Sequence, residues 1–274
     1  MNPNRWGILI RREFWENRAL WIAPTVAALF LVCSTILLAL RMDDMQYGPR
    51  GVFRNNPNMG APIGATPFEM TVFVFSSLIF GIGAIATAMY CLDSLYSERR
   101  DRSILFWKSL PVSDTQTVLA KAAVALVAMP VLLTAMALVA NLLSGAILSI
   151  NPSPRSPVRM MWEDANLVRA YGKLILAVFT NVLWYAPAVA YAMVASVLSN
   201  RVPLVMASVP LVTLAVGEQV VFGTNQVWAF LGKRLTSVFN VHEALTSAQL
   251  WGGLVVAAAG FALAIRLRRW RDDS

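Results

Sequence analysis

The stretch SLYSERRDRSILFWKSLPVSDTQTVLAK (94–121) sets Glu98, Arg99, Arg100, Asp101 and Arg102 in succession. Adjacent acids and bases of this kind do electrostatic work, pairing with a neighbouring helix or with another protein. An apolar piece follows. Ser103 is placed to N-cap a short helix over 104–110, its hydroxyl accepting an orphan backbone N–H, and Pro111 ends it. Ser113 and Gln116 form an S-x-x-Q capping box that opens the next helix. Ile104, Leu105, Phe106 and Trp107 give the short helix more apolar surface than solvent asks for. With Arg and Lys on either side, Phe106 and Trp107 fit two readings. They are anchors for a protein partner, where aromatics dominate binding, or they rest on lipid headgroups.

Other residues with chemical potential are few. Glu218 lies in an apolar run, about 24 Å of helix rise from the run's start. An intramembrane acid is a candidate for proton coupling or substrate contact, while at that depth it also reaches the headgroup zone. Asn141 and Asn181 sit in apolar runs and read as hydrogen-bonders between helices before they read as ligands. The one histidine, His242, has Thr246 where a zinc-binding helix would need its second histidine, so it reads as a polar loop residue. No G-x-x-x-x-G-K-[ST] phosphate loop occurs: Gly172-Lys173-Leu174 and Gly232-Lys233-Arg234 do not fit it. No catalytic residue, metal ligand or cofactor-binding set is therefore assigned.

The elements that must position these residues follow from hydropathy. The chain of 274 residues is 57% hydrophobic and only 14% charged, against about 25% charged in soluble domains. Charge-free apolar runs reach the about 20 residues a bilayer crossing takes. We read six spans, 19–40, 70–92, 118–150, 174–199, 202–222 and 249–267, in one transmembrane domain covering 1–274. The first run has Arg5, Arg11, Arg12 and Arg18 ahead of it but is too long for a signal peptide and lacks a small-residue cleavage pattern. Pro130 predicts a kink or tilt in span three, and Asn200-Arg201-Pro203 a tight hairpin between spans four and five. Gly81, Gly83 and Thr87 in span two, and Gly253, Ala257, Gly260 and Ala264 in span six, offer small faces for close helix packing.

Outside the spans, RWGILIRREFWENR (5–18) reads as an interfacial helix with Trp6, Leu9, Ile10 and Phe14 on one face, although Glu13 and Asn17 fall on that face too. Segments 47–67 and 151–172 are rich in Pro, Gly and Asn and read as turns. Segment 223–249 reads as a re-entrant or interfacial helical pair. Lys and Arg number fourteen on the side of the N-terminus and nine on the other, which places both termini in the cytoplasm. The net charge of +8 is dispersed around the spans, so topology accounts for it and nucleic acid is not an expected partner. Cys33 and Cys91 differ too much in depth to bridge and read as packing residues.

The charged loop resembles the loop between spans two and three of bacterial ATP-binding-cassette permeases of the type 2 exporter family. Glu98, Leu110-Pro111, Ser113 and Lys121 match its pattern, and Arg102-Ser103 stand where the family carries Gly-Thr. The layout is similar as well: an amphipathic N-terminal helix, six spans and a semi-buried segment before the last. The resemblance implies a permease of an ATP-driven exporter in the bacterial cytoplasmic membrane. A second permease chain, identical or related, would complete the path among membrane lipids, and separate ATPase subunits would hold ATP and Mg. Helix 104–110 would then be a cytosolic coupling helix. Glu98, Arg99, Arg100, Asp101, Arg102, Leu105, Phe106, Trp107, Leu110 and Pro111 would couple it to the ATPase, the charges pairing with that partner or with the N-terminal helix. Two rivals stand beside it: an ion-coupled carrier using Glu218, and a scaffold whose loop docks a partner without transport.

Overall fold

The computed structural model describes residues 3–41, 67–101, 113–150, 166–235 and 241–271, and every regular element among them is helical. The helices are α1 (Pro3–Glu16), α2 (Ala19–Arg41), α3 (Pro67–Asp93), α4 (Tyr96–Arg100) and α5 (Asp114–Ala123). After a π-helical turn (Val124–Ala128) come α6 (Met129–Ser149), α7 (Leu167–Leu198), α8 (Pro203–Phe222), α9 (Gln226–Leu235), α10 (Val241–Thr246) and α11 (Ala248–Arg271). Six stretches are helical, long and apolar enough to cross a membrane: Ala19–Leu40, Phe68–Arg100, Asp114–Ser149, Leu167–Leu198, Pro203–Phe222 and Ala248–Trp270. Helices suit such sequences because hydrocarbon offers no partner to a backbone N–H or C=O, so each must be satisfied within its own segment. The chain is an all-α, multi-pass membrane protein.

Local signals explain several boundaries. The capping box is present: Ser113 Oγ accepts from Gln116 N at 3.3 Å, and Gln116 Oε1 accepts from Ser113 N at 3.2 Å. The hairpin between α7 and α8 is as short as expected, with Pro203 opening α8 and Tyr191 Oη donating across it to Ala207 O at 2.7 Å. Ahead of Pro130 the helix widens, and Met129 N–H bonds Val124 O, five residues back. A wider turn suits a proline that brings no N–H of its own.

One boundary needs correction. The fourth span begins at Leu167, so residues 167–172 are helix and not part of a loop. Asn166 starts it early, its Oδ1 accepting Arg169 N–H at 2.9 Å as an N-cap. Segment 223–249 contains α9 and α10, neither long enough to cross. Segments 42–66, 102–112, 151–165 and 236–240 lie outside the described residues. With them lie the expected helix over 104–110 and its residues Arg102, Leu105, Phe106, Trp107, Leu110 and Pro111.

Contacts divide the chain into two compact units. The first comprises Met1–Leu20, Ile85–Pro130 and Phe179–Ser274. In it, Ala186 and Ala190 of α7 pack on Ala257 of α11, joined by Leu126, Leu254 and Phe261. Gly260 belongs to this face: a Cβ there would stand 3.0 Å from Ala190 Cβ. The small stripe of span six is thus a packing face, with Ala264 buried as well. The second unit comprises Trp21–Ala84 and Val131–Val178. Phe68, Val72, Ala170 and Leu174 form its core cluster, and Gly83 seats Leu133 so closely that a Cβ would collide with it. Gly81 has open space in front of it and takes no part. Cys91 is buried, but Cys33 is exposed; it lies on the outward stripe of α2 with Phe30 and Leu37, not on a packing face.

Candidate functional site

The first unit holds a buried cluster of charge that four separate segments build. Lys121 of α5 lies at its centre. Its Nζ is 3.0 Å from both carboxylate oxygens of Glu13 in α1 and 3.1 Å from Glu98 Oε1 in α4. On the other oxygen of Glu98, Arg268 of α11 closes in at 3.0 Å, and the same guanidinium reaches Asp114 Oδ1 at 3.2 Å. Arg12 of α1 adds a contact to Glu98 Oε1 at 3.4 Å and pairs with Glu16 at 2.7 Å. Tyr90 of α3 donates its hydroxyl to Glu13 Oε2 at 2.9 Å.

Burial makes this arrangement demanding. Glu13 and Lys121 are each 2% exposed, Arg268 5% and Glu98 6%. An isolated charge at such a site pays several kcal/mol in lost hydration, of order 3–5 when a partner is removed. Here the described cations Lys121, Arg268 and Arg12 face the carboxylates of Glu13, Glu98 and Asp114, with Glu16 at the exposed edge beside Arg12, so no buried charge stands without an opposite one. Asp114, in the first turn of α5, also suits the positive end of that helix. Burial pulls the Arg12 guanidinium toward losing its proton, yet Glu16, Glu13 and Glu98 outweigh it and hold its pKa above the ordinary value.

Beside the cluster, Arg99 turns the other way. Its Nη2 donates to Ser196 O at 2.9 Å and Ser199 O at 2.8 Å, closing the C-terminal carbonyls of α7. Ser196 returns the contact, its Oγ accepting Leu95 N–H at 3.2 Å and Tyr96 N–H at 3.0 Å at the start of α4. Arg100 and Asp101, by contrast, are exposed and pair with each other at 3.0 Å. The run of charges thus divides by direction. Glu98 and Arg99 tie the foot of the loop to α1, α5, α7 and α11, while Arg100 and Asp101 face outward.

The N-terminal helix is oriented by the same cluster. Trp6, Leu9, Ile10 and Phe14 are half-buried beside fully buried Glu13, so the face holding them is turned to protein. Ile8 and Trp15, two turns apart, are the exposed apolar residues of α1, at 67% and 66%. Glu13 and Asn17 on an apolar face were the signal for this: a carboxylate there asks for a buried cation, which a lipid surface does not supply. Lys121 was visible only through the family pattern, and Arg268 only as a topological charge.

The remaining candidates have local roles. Glu218 accepts from Thr224 Oγ1, from Gln226 N at 2.8 Å and from Val227 N at 2.7 Å. It therefore caps the N-terminus of α9, favoured by the helix dipole, with Gly223 making the turn at a φ of 66°. In the second unit Asn141 Nδ2 donates to Ser76 Oγ at 3.0 Å and to Ala137 O at 2.7 Å, joining α6 to α3. Glu69, 2% exposed, pairs there with Lys173 at 2.8 Å and Arg169 at 3.3 Å. Asn181 is half-buried on α7, and His242 is exposed on α10. On α9, Arg234 lies over the Trp184 ring at 4.4 Å.

The fold and cluster define a helical multi-pass membrane protein whose charged loop is anchored at its foot. No family model, curated protein or solved structure matches the chain.

Proposed function

We propose that this chain is the membrane-spanning permease subunit of an ATP-driven exporter in the bacterial cytoplasmic membrane, with both termini cytoplasmic. ATP would be hydrolysed on a separate ATPase subunit, and a second permease chain would complete the path. The observation that carries this reading is the anchoring at the loop's foot. Glu98 and Asp114, on either side of segment 102–112, share Arg268, and Glu98 also holds Lys121 and Arg12. A push on the loop is then delivered to α1, α5 and α11 together, and through Arg99 to α7. Such stiffness suits a loop that a partner must move. On this reading Phe106 and Trp107 enter the partner and Arg100 and Asp101 border the contact, while Glu98 and Arg99 transmit.

The test is purification of the tagged chain from its native membrane in mild detergent, with stoichiometric partners identified by mass spectrometry. A co-purifying subunit bearing a phosphate-binding loop, lost on Phe106→Ala/Trp107→Ala, is the expected result. Recovery of the chain with no nucleotide-hydrolysing subunit, across several detergents, would sink the proposal.

A further inference from the structure

Arg234 differs from every cation of the buried cluster. Those cations each face a carboxylate, whereas Arg234, among the described residues, faces none. Its contacts are the Trp184 ring at 4.4 Å and the Gln249 carbonyl at 3.5 Å. Gly253 creates its seat: a Cβ there would collide with the guanidinium and stand 3.1 Å from Pro187 Cγ. The group is thus drawn back from α9 onto the backbone of α11, between α11 and α7. Gly253 is about 22 Å of helix rise from Arg268, within the about 30 Å of a hydrocarbon core. Trp184 is 7% exposed, and its Nε1–H has no acceptor among the described residues. Charges at membrane depth are paired or mark a ligand path, and a guanidinium fork matches phosphate and carboxylate oxygens. Trp228 and Phe230 of α9 stay exposed, at 45% and 55%, and offer apolar surface beside the charge.

We propose that Arg234 and Trp184, over Gly253, bind an anionic group, a phosphate or a carboxylate. The site is independent of the transport reading, since a carrier, a scaffold or an exporter could each hold it. That group belongs either to a lipid headgroup or to a water-borne anion, and the probes separate these sources.

The experiment uses the full chain in dodecyl maltoside, a neutral detergent, with 15N-labelled tryptophan and dodecyl phosphate as probe. The Trp184 indole resonance is identified by its loss in Trp184→Phe. It is expected to shift saturably, and Arg234→Gln is expected to weaken the apparent affinity by about tenfold or more, as loss of a charged hydrogen-bond partner does. Lys233→Gln should leave the affinity unchanged. A shift that inorganic phosphate alone reproduces supports the site and assigns it to a water-borne anion. A shift that needs the alkyl chain supports the site and assigns it to an amphiphile. Should Arg234→Gln fail to fold, Trp184→Phe keeps a smaller aromatic face and removes the N–H together with the five-membered ring that carries it. It should then halve the thermal stabilisation given by dodecyl phosphate. An unmoved Trp184 resonance at saturating probe, undiminished binding in Arg234→Gln, undiminished stabilisation in Trp184→Phe, or equal loss in Lys233→Gln would each overturn the proposal.

Discussion

Lys121 holds both carboxylate oxygens of Glu13, at 3.0 Å each, with both side chains almost wholly buried. The contact joins the N-terminal helix to the start of the third span across 108 positions of sequence. Replacing Lys121 by Met leaves Glu13 and Glu98 with one cation fewer between them. The expected loss is about 3–5 kcal/mol, read as a lower Tm of the purified chain. Adding Glu13→Gln to Lys121→Met should recover part of it, because the remaining Glu98 still has Arg268 and Arg12. An unchanged Tm in the single variant would show that the cluster does not hold α1 in place.

Glu98 and Arg100 stand two residues apart and face opposite ways, which gives a paired test. Glu98→Lys puts a fourth cation beside Lys121, Arg268 and Arg12 and should destabilise the chain severely. Arg100→Glu changes an exposed residue and should keep Tm nearly constant, as surface substitutions do. If a partner ATPase co-purifies, Arg100→Glu should weaken its stimulation while leaving the permease folded. Equal Tm losses for both variants would contradict the inward and outward division.

Glu218 has its carboxylate occupied by Thr224, Gln226 and Val227. Glu218→Gln is therefore expected to loosen the start of α9, seen as faster hydrogen exchange in a peptide covering 224–235. A normal exchange rate there, together with lost activity, would return Glu218 to the role of a coupling acid.

Ser76→Ala removes one partner of Asn141 in the second unit. Polar contacts between membrane helices average about 0.6 kcal/mol and reach about 1.7, so a small fall in Tm is expected. A loss approaching that of Lys121→Met would mean that Asn141 does more than join α3 to α6.

Much of the fold was legible because the signals are local. A span is a run of apolar residues long enough to cross, so six of them could be counted without knowing how they pack. The capping box at Ser113 and the hairpin before Pro203 depend on four or five consecutive residues. The start of α7 is also a local signal, since Asn166 is a good N-cap, but the Pro-rich stretch before it masks that start in the composition. The exposure of Cys33 is not legible in this way, because composition does not say which side of a helix faces its neighbours.

Of the candidate site, Glu98 and Arg99 were legible as members of a charge run, but their directions and their partners Glu13, Lys121 and Arg268 were not. Glu98 and Arg99 are neighbours in sequence and in charge density, yet one enters the ion cluster and the other closes α7. About 100° separates successive side chains on a helix, so adjacent residues meet different surroundings, and only packing says which. Glu13 came nearest to being recognised, since it breaks an otherwise apolar face.

The amino-acid sequence by itself determined the number of crossings, the capped start of the third span, the tight hairpin and the crowding of charge between spans two and three. Each depends on composition or on neighbours within a helical turn. Tertiary structure decided that Glu13, Glu98, Lys121 and Arg268 meet, that Glu218 caps α9, and that Arg234 lies over Gly253. For Glu13, Glu98, Lys121 and Arg268 burial is the physical reason: they lie far apart along the chain, and only when their helices pack does each need the others to offset its lost hydration.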